Sequence, residues 1–193
     1  MPKFLKNFLL STILFFLLIV SNVYANTVRE TLVLANMGDV NAQLKLGQMY
    51  WYGKEVAESN EEALYWYKEA AKRGSTEALR KIGSIYSISF NDNNLAIYWY
   101  DKAAKKGDSE AMNQLGMIYS NGENGVKKDK NLAMKWFRKS YEAGDNTAPS
   151  NIGYAYFHGD GVERDYNKAL FWYKEAAKRG NNLAQQILDE KFN

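Results

Sequence analysis

The 193-residue chain has no cysteine, a single histidine and almost balanced charge, with 25 Lys and Arg against 22 Asp and Glu. A disulfide framework is therefore excluded, and so is a mononuclear metal centre built from His and Cys. Setting aside Lys3 and Lys6, which belong to the leading segment treated next, leaves 23 basic residues against the same 22 acids; this argues against a broad basic surface for nucleic acid and against an acidic calcium-binding surface.

Lys3 and Lys6 precede an apolar run from Phe8 to Val20, broken by Ser11 and Thr12, and the segment ends in Val23-Tyr24-Ala25. A basic end, an apolar centre and a small residue at the junction form the pattern of a secretory signal. Cleavage is expected after Ala25, and the product is expected outside the cytoplasm, periplasmic or secreted. The apolar run is shorter than the ~20 residues of a typical membrane span. An uncleaved anchor is thus the weaker reading, and no stable membrane insertion is expected after cleavage. Without disulfides, stability has to come from packing.

The rest of the chain repeats with a period of roughly 36 residues. Gly38, Gly74, Gly107, Gly144 and Gly180 mark the period, each followed four residues later by an alanine: Ala42, Ala78, Ala111, Ala148 and Ala184. Next come Leu46-Gly47, Ile82-Gly83, Leu115-Gly116 and Ile152-Gly153, then Tyr50, Tyr86, Tyr119 and Tyr156. The spacing of Ala42, Leu46, Met49 and Tyr50 predicts a helix with one apolar face, helix A. A second helix, B, is predicted from Ala63, Trp66, Tyr67, Ala70 and Ala71 and their equivalents, including Trp99-Tyr100, Trp136-Phe137 and Trp172-Tyr173. Lys72-Arg73 and then Gly74 supply the basic last turn and the left-handed stop expected of its end. Glycine inside helix A costs ~1 kcal/mol relative to alanine, so a close approach must require the missing side chain. The tryptophan–tyrosine pairs are expected to fill the layer between helices.

These residues, Ala-x3-Leu-Gly-x2-Tyr followed by Ala-x2-Trp-Tyr and Ala-Ala-x2-Gly, resemble the Sel-one-like repeat family, relatives of the tetratricopeptide repeats. The resemblance implies an all-α fold: an α/α solenoid, a right-handed superhelix of helix-turn-helix units. On that basis residues 26–37 are a capping half-unit, 38–73, 74–106, 107–143 and 144–179 are four repeats, and 180–193 is a final capping helix. The family's turn, Gly-x-Gly-Val-x2-Asp, is intact in Gly159-Asp160-Gly161-Val162-Glu163-Arg164-Asp165. Repeat two has a shorter turn, Ser87 to Asp92, that lacks the Gly-Val element, which leaves its loop geometry open; a local irregularity of the superhelix is expected there.

No catalytic constellation is legible. His158 follows helix A of repeat four and reads as a helix-end residue, no Gly-x-Ser-x-Gly elbow is present, and Gly159-x-Gly161 is too short for a dinucleotide fingerprint. The expectation is a non-enzymatic, monomeric protein without cofactor that binds another protein. The resemblance implies an adaptor or scaffold of the bacterial envelope or secreted space. Alternatives are an immunity protein that neutralises a toxin and, more remotely, a hydrolase of cell-wall material or β-lactams. By analogy with other two-helix solenoids, the partner surface should use the helix A positions that do not recur. These are Leu44, Gln48, Trp51 and Tyr52 in repeat one, Arg80 and Ser84 in repeat two, Asn113 and Met117 in repeat three, and Tyr154, Phe157 and His158 in repeat four.

Overall fold

In a computed structural model that describes residues 26–192, the 3.6-residue periodicity of the repeats is realised as helices, and no strand occurs among the described residues. The secretory-signal reading and its junction at Ala25 fall on residues 1–25 and lie outside the described residues. Helix α1 covers residues 26–36. It is followed by α2 (Val40–Tyr52), α3 (Asn60–Lys72), α4 (Thr76–Ile88), α5 (Asn93–Ala104), α6 (Ser109–Asn121), α7 (Lys130–Glu142), α8 (Ala148–His158), α9 (Tyr166–Lys178) and α10 (Asn182–Lys191). The even-numbered helices are the A helices of the sequence analysis; α3, α5, α7 and α9 are the B helices.

The chain divides into two compact units, one ending at Ser75 and one beginning at Thr76. In the first, α2 packs on α3 around Ala42, Leu46, Met49 and Trp66, with Ala35 of α1 completing the cluster. The side chain of Gln43 is buried and donates from Nε2 to the Ala35 carbonyl at 3.0 Å, tying α2 to α1. In the second unit α4 pairs with α5, α6 with α7 and α8 with α9, and each pair leans on the next helix in sequence. Its last pair and α10 enclose a core of Phe137, Ile152, Tyr156, Ala169, Tyr173, Ala184 and Leu188.

Local chemistry sets the ends of these helices. Gly38, Gly74, Gly107, Gly144 and Gly180 all have φ between +89° and +95°, a conformation that costs glycine nothing and other residues a clash. The following residue caps helix A: Asp39, Asp108 and Asn181 each accept a hydrogen bond from the backbone N–H of the recurring alanine, at 2.7, 2.7 and 2.9 Å. Helix B is capped likewise by Ser59, Asp92, Asp129 and Asp165, which accept from the N–H three residues on. Such caps satisfy backbone donors that a helix start leaves open.

The same four capping residues close the hairpins. Their own N–H groups donate to the carbonyls of Tyr50, Tyr86, Tyr119 and Tyr156, at 2.8, 2.9, 2.8 and 2.9 Å. Repeat two, whose loop geometry the sequence leaves open, closes in the same way. Its turn is shorter, with Asn91 at φ 52°, yet it delivers Asp92 to the same carbonyl position as the longer turns.

The helical glycines receive an aromatic ring. A Cβ placed on Gly47 would stand 2.6 Å from the Tyr67 ring, on Gly83 2.7 Å from Tyr100, on Gly116 2.5 Å from Phe137, and on Gly153 3.1 Å from Tyr173. The close approach inferred from sequence is thus of a ring to a backbone. It also corrects the expectation for the tryptophans, because the residue after each tryptophan takes the central slot. Tyr67, Tyr100, Phe137 and Tyr173 are buried, whereas of the tryptophans only Trp66 is, at 5% exposure; Trp99, Trp136 and Trp172 are half-buried. Rotated one residue around the helix, these three lie on the flank. Trp99 meets the edge of Tyr98 and Trp172 that of Tyr141, while Lys102 and Lys139 lie over the Trp99 and Trp136 rings.

Two stability series follow. Gly47→Ala, Gly83→Ala and Gly116→Ala should each destabilise by up to about 2 kcal/mol, since overpacking of ~1–3 kcal/mol is offset by only the ~1 kcal/mol gain in helix propensity. Gly153→Ala, with the looser contact, should be the mildest of the four in chemical denaturation. Trp66→Ala should cost about 3–5 kcal/mol, and Trp99→Ala roughly half as much because less of its area leaves water. Equal losses at the two tryptophans would contradict the assignment of inner and flanking rings.

Candidate interaction surface

Once the core is assigned, α2, α4, α6 and α8 each retain a stripe formed by the residue after the helical glycine and the residue four further on, exposed except at the half-buried Ser84. In the first unit these are Gln48 and Tyr52, both exposed. Leu44 and Trp51 flank them half-buried, and the rings of Trp51 and Tyr52 stack at 4.9 Å. In the second unit the stripe is Ser84 and Ile88 on α4, Met117 and Asn121 on α6, and Tyr154 and His158 on α8. Ile88 is 69% exposed, Tyr154 51% and Met117 41%.

Of the residues expected on this surface, four in the second unit do structural work. Asn113 is buried, at 6% exposure. It donates to Thr147 Oγ1 at 2.9 Å and accepts from Asn151 Nδ2 at 2.8 Å, so the next hairpin supplies the partners that make its burial tolerable. Arg80 is clamped between Asp108 (Nε to Oδ2, 3.2 Å) and Glu110 (2.8 Å), fastening α4 to the start of α6. Ser84 donates to the Arg80 carbonyl and accepts from the Tyr100 hydroxyl at 3.1 Å. Phe157 is half-buried and meets the edges of Tyr166 and Phe192 at 5.2 and 5.8 Å, which makes it part of the seam with α9 and α10.

Met117 and Tyr154 come together. They line a groove of about 260 Å³ with Ser120, Asn121 and Asn151, above a floor of Ala133, Met134, Phe137 and Ala155. Lys130 and Asp160 pair at its rim. His158 lies beside Tyr154, ring centroids 4.2 Å apart. Ser120 and Asn121 occupy the same repeat positions as Trp51 and Tyr52, and Ile88 the position of Tyr52. The register that singled out the aromatics therefore also marked these three, which polarity or a lone aliphatic side chain concealed. Asn151 carried no such signal, because its importance comes from its contact with Asn113.

The shifted titratable groups have structural causes. Asp165 is held below the usual carboxylate range chiefly by the Lys168 backbone N–H, as a helix cap would be. Tyr100 is raised, mainly by burial, against the opposing effects of the Ser84 bond and the Arg80 charge. Among the described residues there is no group of three or more side chains able to hold a metal ion, and no helix long and apolar enough to cross a membrane.

Capped hairpins that recur with a ring seated on a helical glycine define a helical-repeat protein of the two-helix class. The sequence matches the Sel1 repeat over residues 40–75, 76–108, 109–145 and 150–181. The chain belongs to the Sel1 repeat family. Proteins of this family generally mediate protein–protein interaction and are generally non-catalytic. No curated protein matches the sequence significantly. Among solved structures, c5321, described as a protective antigen present in uropathogenic Escherichia coli strains and displaying an SLR fold, is 38% identical with a TM-score of 0.74. The match covers 83% of this chain but only 35% of that one, so the chain spans about a third of that relative. A Sel1 repeat protein from Oxalobacter formigenes is 33% identical, TM-score 0.73, over 88% of this chain and 74% of that one. An immunity protein, Pa5087 from Pseudomonas aeruginosa, shares the fold at 24% identity and a TM-score of 0.60, over 86% of this chain and 62% of that one.

The ring beneath Gly153 has a measurable signature. Burial, reinforced by nearby Tyr154, raises the Tyr173 hydroxyl from 10.0 to about 12. The folded state then holds a proton that the unfolded state releases, so stability is lost as pH rises from 10.0 toward about 12. Tyr173→Phe keeps the ring and should flatten this alkaline fall in urea-denaturation midpoints; an unchanged slope would remove Tyr173 as its source.

Proposed function

We propose that this protein is a non-catalytic adaptor that binds another protein through the exposed stripe of its A helices, with the groove around Met117 and Tyr154 as the principal contact. The observation that carries this reading is the contrast between positions. The residues that build the hairpins recur from repeat to repeat, whereas the stripe changes from Gln48 and Tyr52 to Ser84 and Ile88, Met117 and Asn121, and Tyr154 and His158. A surface with a different chemistry on each helix is suited to one particular partner. Apolar and aromatic side chains beside amides match the usual make-up of an interface centre, where aromatics carry most of the energy. Gln48, Trp51, Tyr52 and Leu44 form a second contact area on α2. Arg80, Ser84, Asn113 and Phe157 support the surface by fixing helices.

Export is part of this proposal and rests on the pattern of Lys3, Lys6, Phe8 to Val20 and Ala25. It places the partner in the periplasm or outside the cell, and the adaptor acts there as a monomer without cofactor.

A photo-reactive residue at 154 or 117, installed in cells, should yield the same cross-linked partner, and one at Lys174 on α9 should not. With that partner purified, Tyr154→Ala should weaken binding by about 2 kcal/mol, roughly 30-fold, while leaving the unfolding midpoint unchanged. Equal capture from position 174, or undiminished affinity of the Tyr154→Ala and Met117→Ala variants, would move the interface elsewhere.

A further inference from the structure

The turn between α6 and α7 contains two asparagine–glycine pairs, Asn121-Gly122 and Asn124-Gly125, separated only by Glu123. In such a pair the glycine nitrogen can attack the asparagine side-chain carbonyl carbon, because the following residue has no Cβ to obstruct it. Local sequence favours both pairs equally; the structure distinguishes them.

Asn121 is the last residue of α6, and the N–H of Gly122 is committed to the Ile118 carbonyl at 2.9 Å. Attack from Gly122 would require that bond to break and the helix end to unwind. Asn124 stands outside any helix, is exposed and has φ 54°. The N–H of Gly125 has no acceptor among the described residues. Glu123 fixes the turn on one side, its carbonyl accepting from Val126 N–H at 3.2 Å and from Asn93 Nδ2 at 3.1 Å.

We infer that Asn124 is a site of spontaneous deamidation and isomerisation, and that Asn121 is protected from it by the end of α6. The Gly125 nitrogen bonds to Asn124 Cγ and loses its proton, the Cγ–Nδ2 bond breaks, and ammonia leaves, giving a cyclic imide. Water then adds to one of the two imide carbonyls. Opening on one side gives aspartate; opening on the other gives isoaspartate, with the main chain running through the former side chain. Both products place a carboxylate beside a cleft lined by Gly125, Lys127, Lys128 and Lys130. The isoaspartyl form also lengthens the backbone within the Glu123–Val126 turn, while the Asp129 to Tyr119 closure lies outside the altered segment and keeps the hairpin intact.

The test is a time course on the purified full chain at mildly alkaline pH, read by peptide mass mapping and by labelling with an isoaspartyl-specific methyltransferase, in buffer and in urea. In the folded chain Asn124 should convert about fivefold faster than Asn121, the factor a retained backbone hydrogen bond supplies. In urea the two rates should converge, and in the folded chain Asn124→Gln should remove most of the label from this turn. Equal conversion at both positions of the folded chain, faster conversion at Asn121, or conversion at Asn124 only in urea would overturn the assignment.

Discussion

A flat ring lying on a bare stretch of helix backbone holds each hairpin together. Tyr67, Tyr100, Phe137 and Tyr173 can sit where they do only because Gly47, Gly83, Gly116 and Gly153 have no Cβ. The pairing sets the distance between helices A and B, and the small recurring alanines let the surrounding helices follow. It explains why glycine persists where it weakens the helix, since the loss is local and the ring burial it permits is larger. The capping aspartates and the left-handed glycines then act on hairpins whose spacing is already determined.

Much of this was legible in the sequence because it depends on a residue and its near neighbours along one helix. Periodicity shows which side of a helix is apolar, and a glycine before a capping side chain shows where a helix stops and the next begins. Contacts between hairpins are a different matter. Nothing near Asn113 announces that Thr147 and Asn151 will satisfy it, so a polar residue on a non-recurring position read as exposed. Phe157 was misplaced for the same reason, through its contact with Phe192. The size of a tryptophan is no sign of centrality, since one residue of helical rotation moves three of them to the flank. Ser120, Asn121 and Ile88 were readable from their register and were passed over for more conspicuous aromatic neighbours.

The distribution of polar groups follows the helix ends. Asp39, Asp92, Asp108, Asp129, Asp145 and Asp165 all accept hydrogen bonds from the starts of helices, so six of the nine aspartates are occupied in holding backbone. Apart from Ser84, which is tied to Tyr100 of α5, the side chains of the A-helix stripes have no such bond to a neighbouring helix among the described residues and are free to differ. Framework residues and stripe residues thus lie on the same helices at different angular positions, and most of the stripe can change without disturbing the framework.

The bond from each helix B cap to the tyrosine carbonyl has a consequence for how such chains diversify. Since the short turn of repeat two and the longer turn of repeat three both return to an equivalent carbonyl, insertions and deletions between those two points are absorbed without shifting the register downstream. The inter-helix turns are therefore the natural places for this architecture to acquire new segments, and length variation there carries little mechanical penalty.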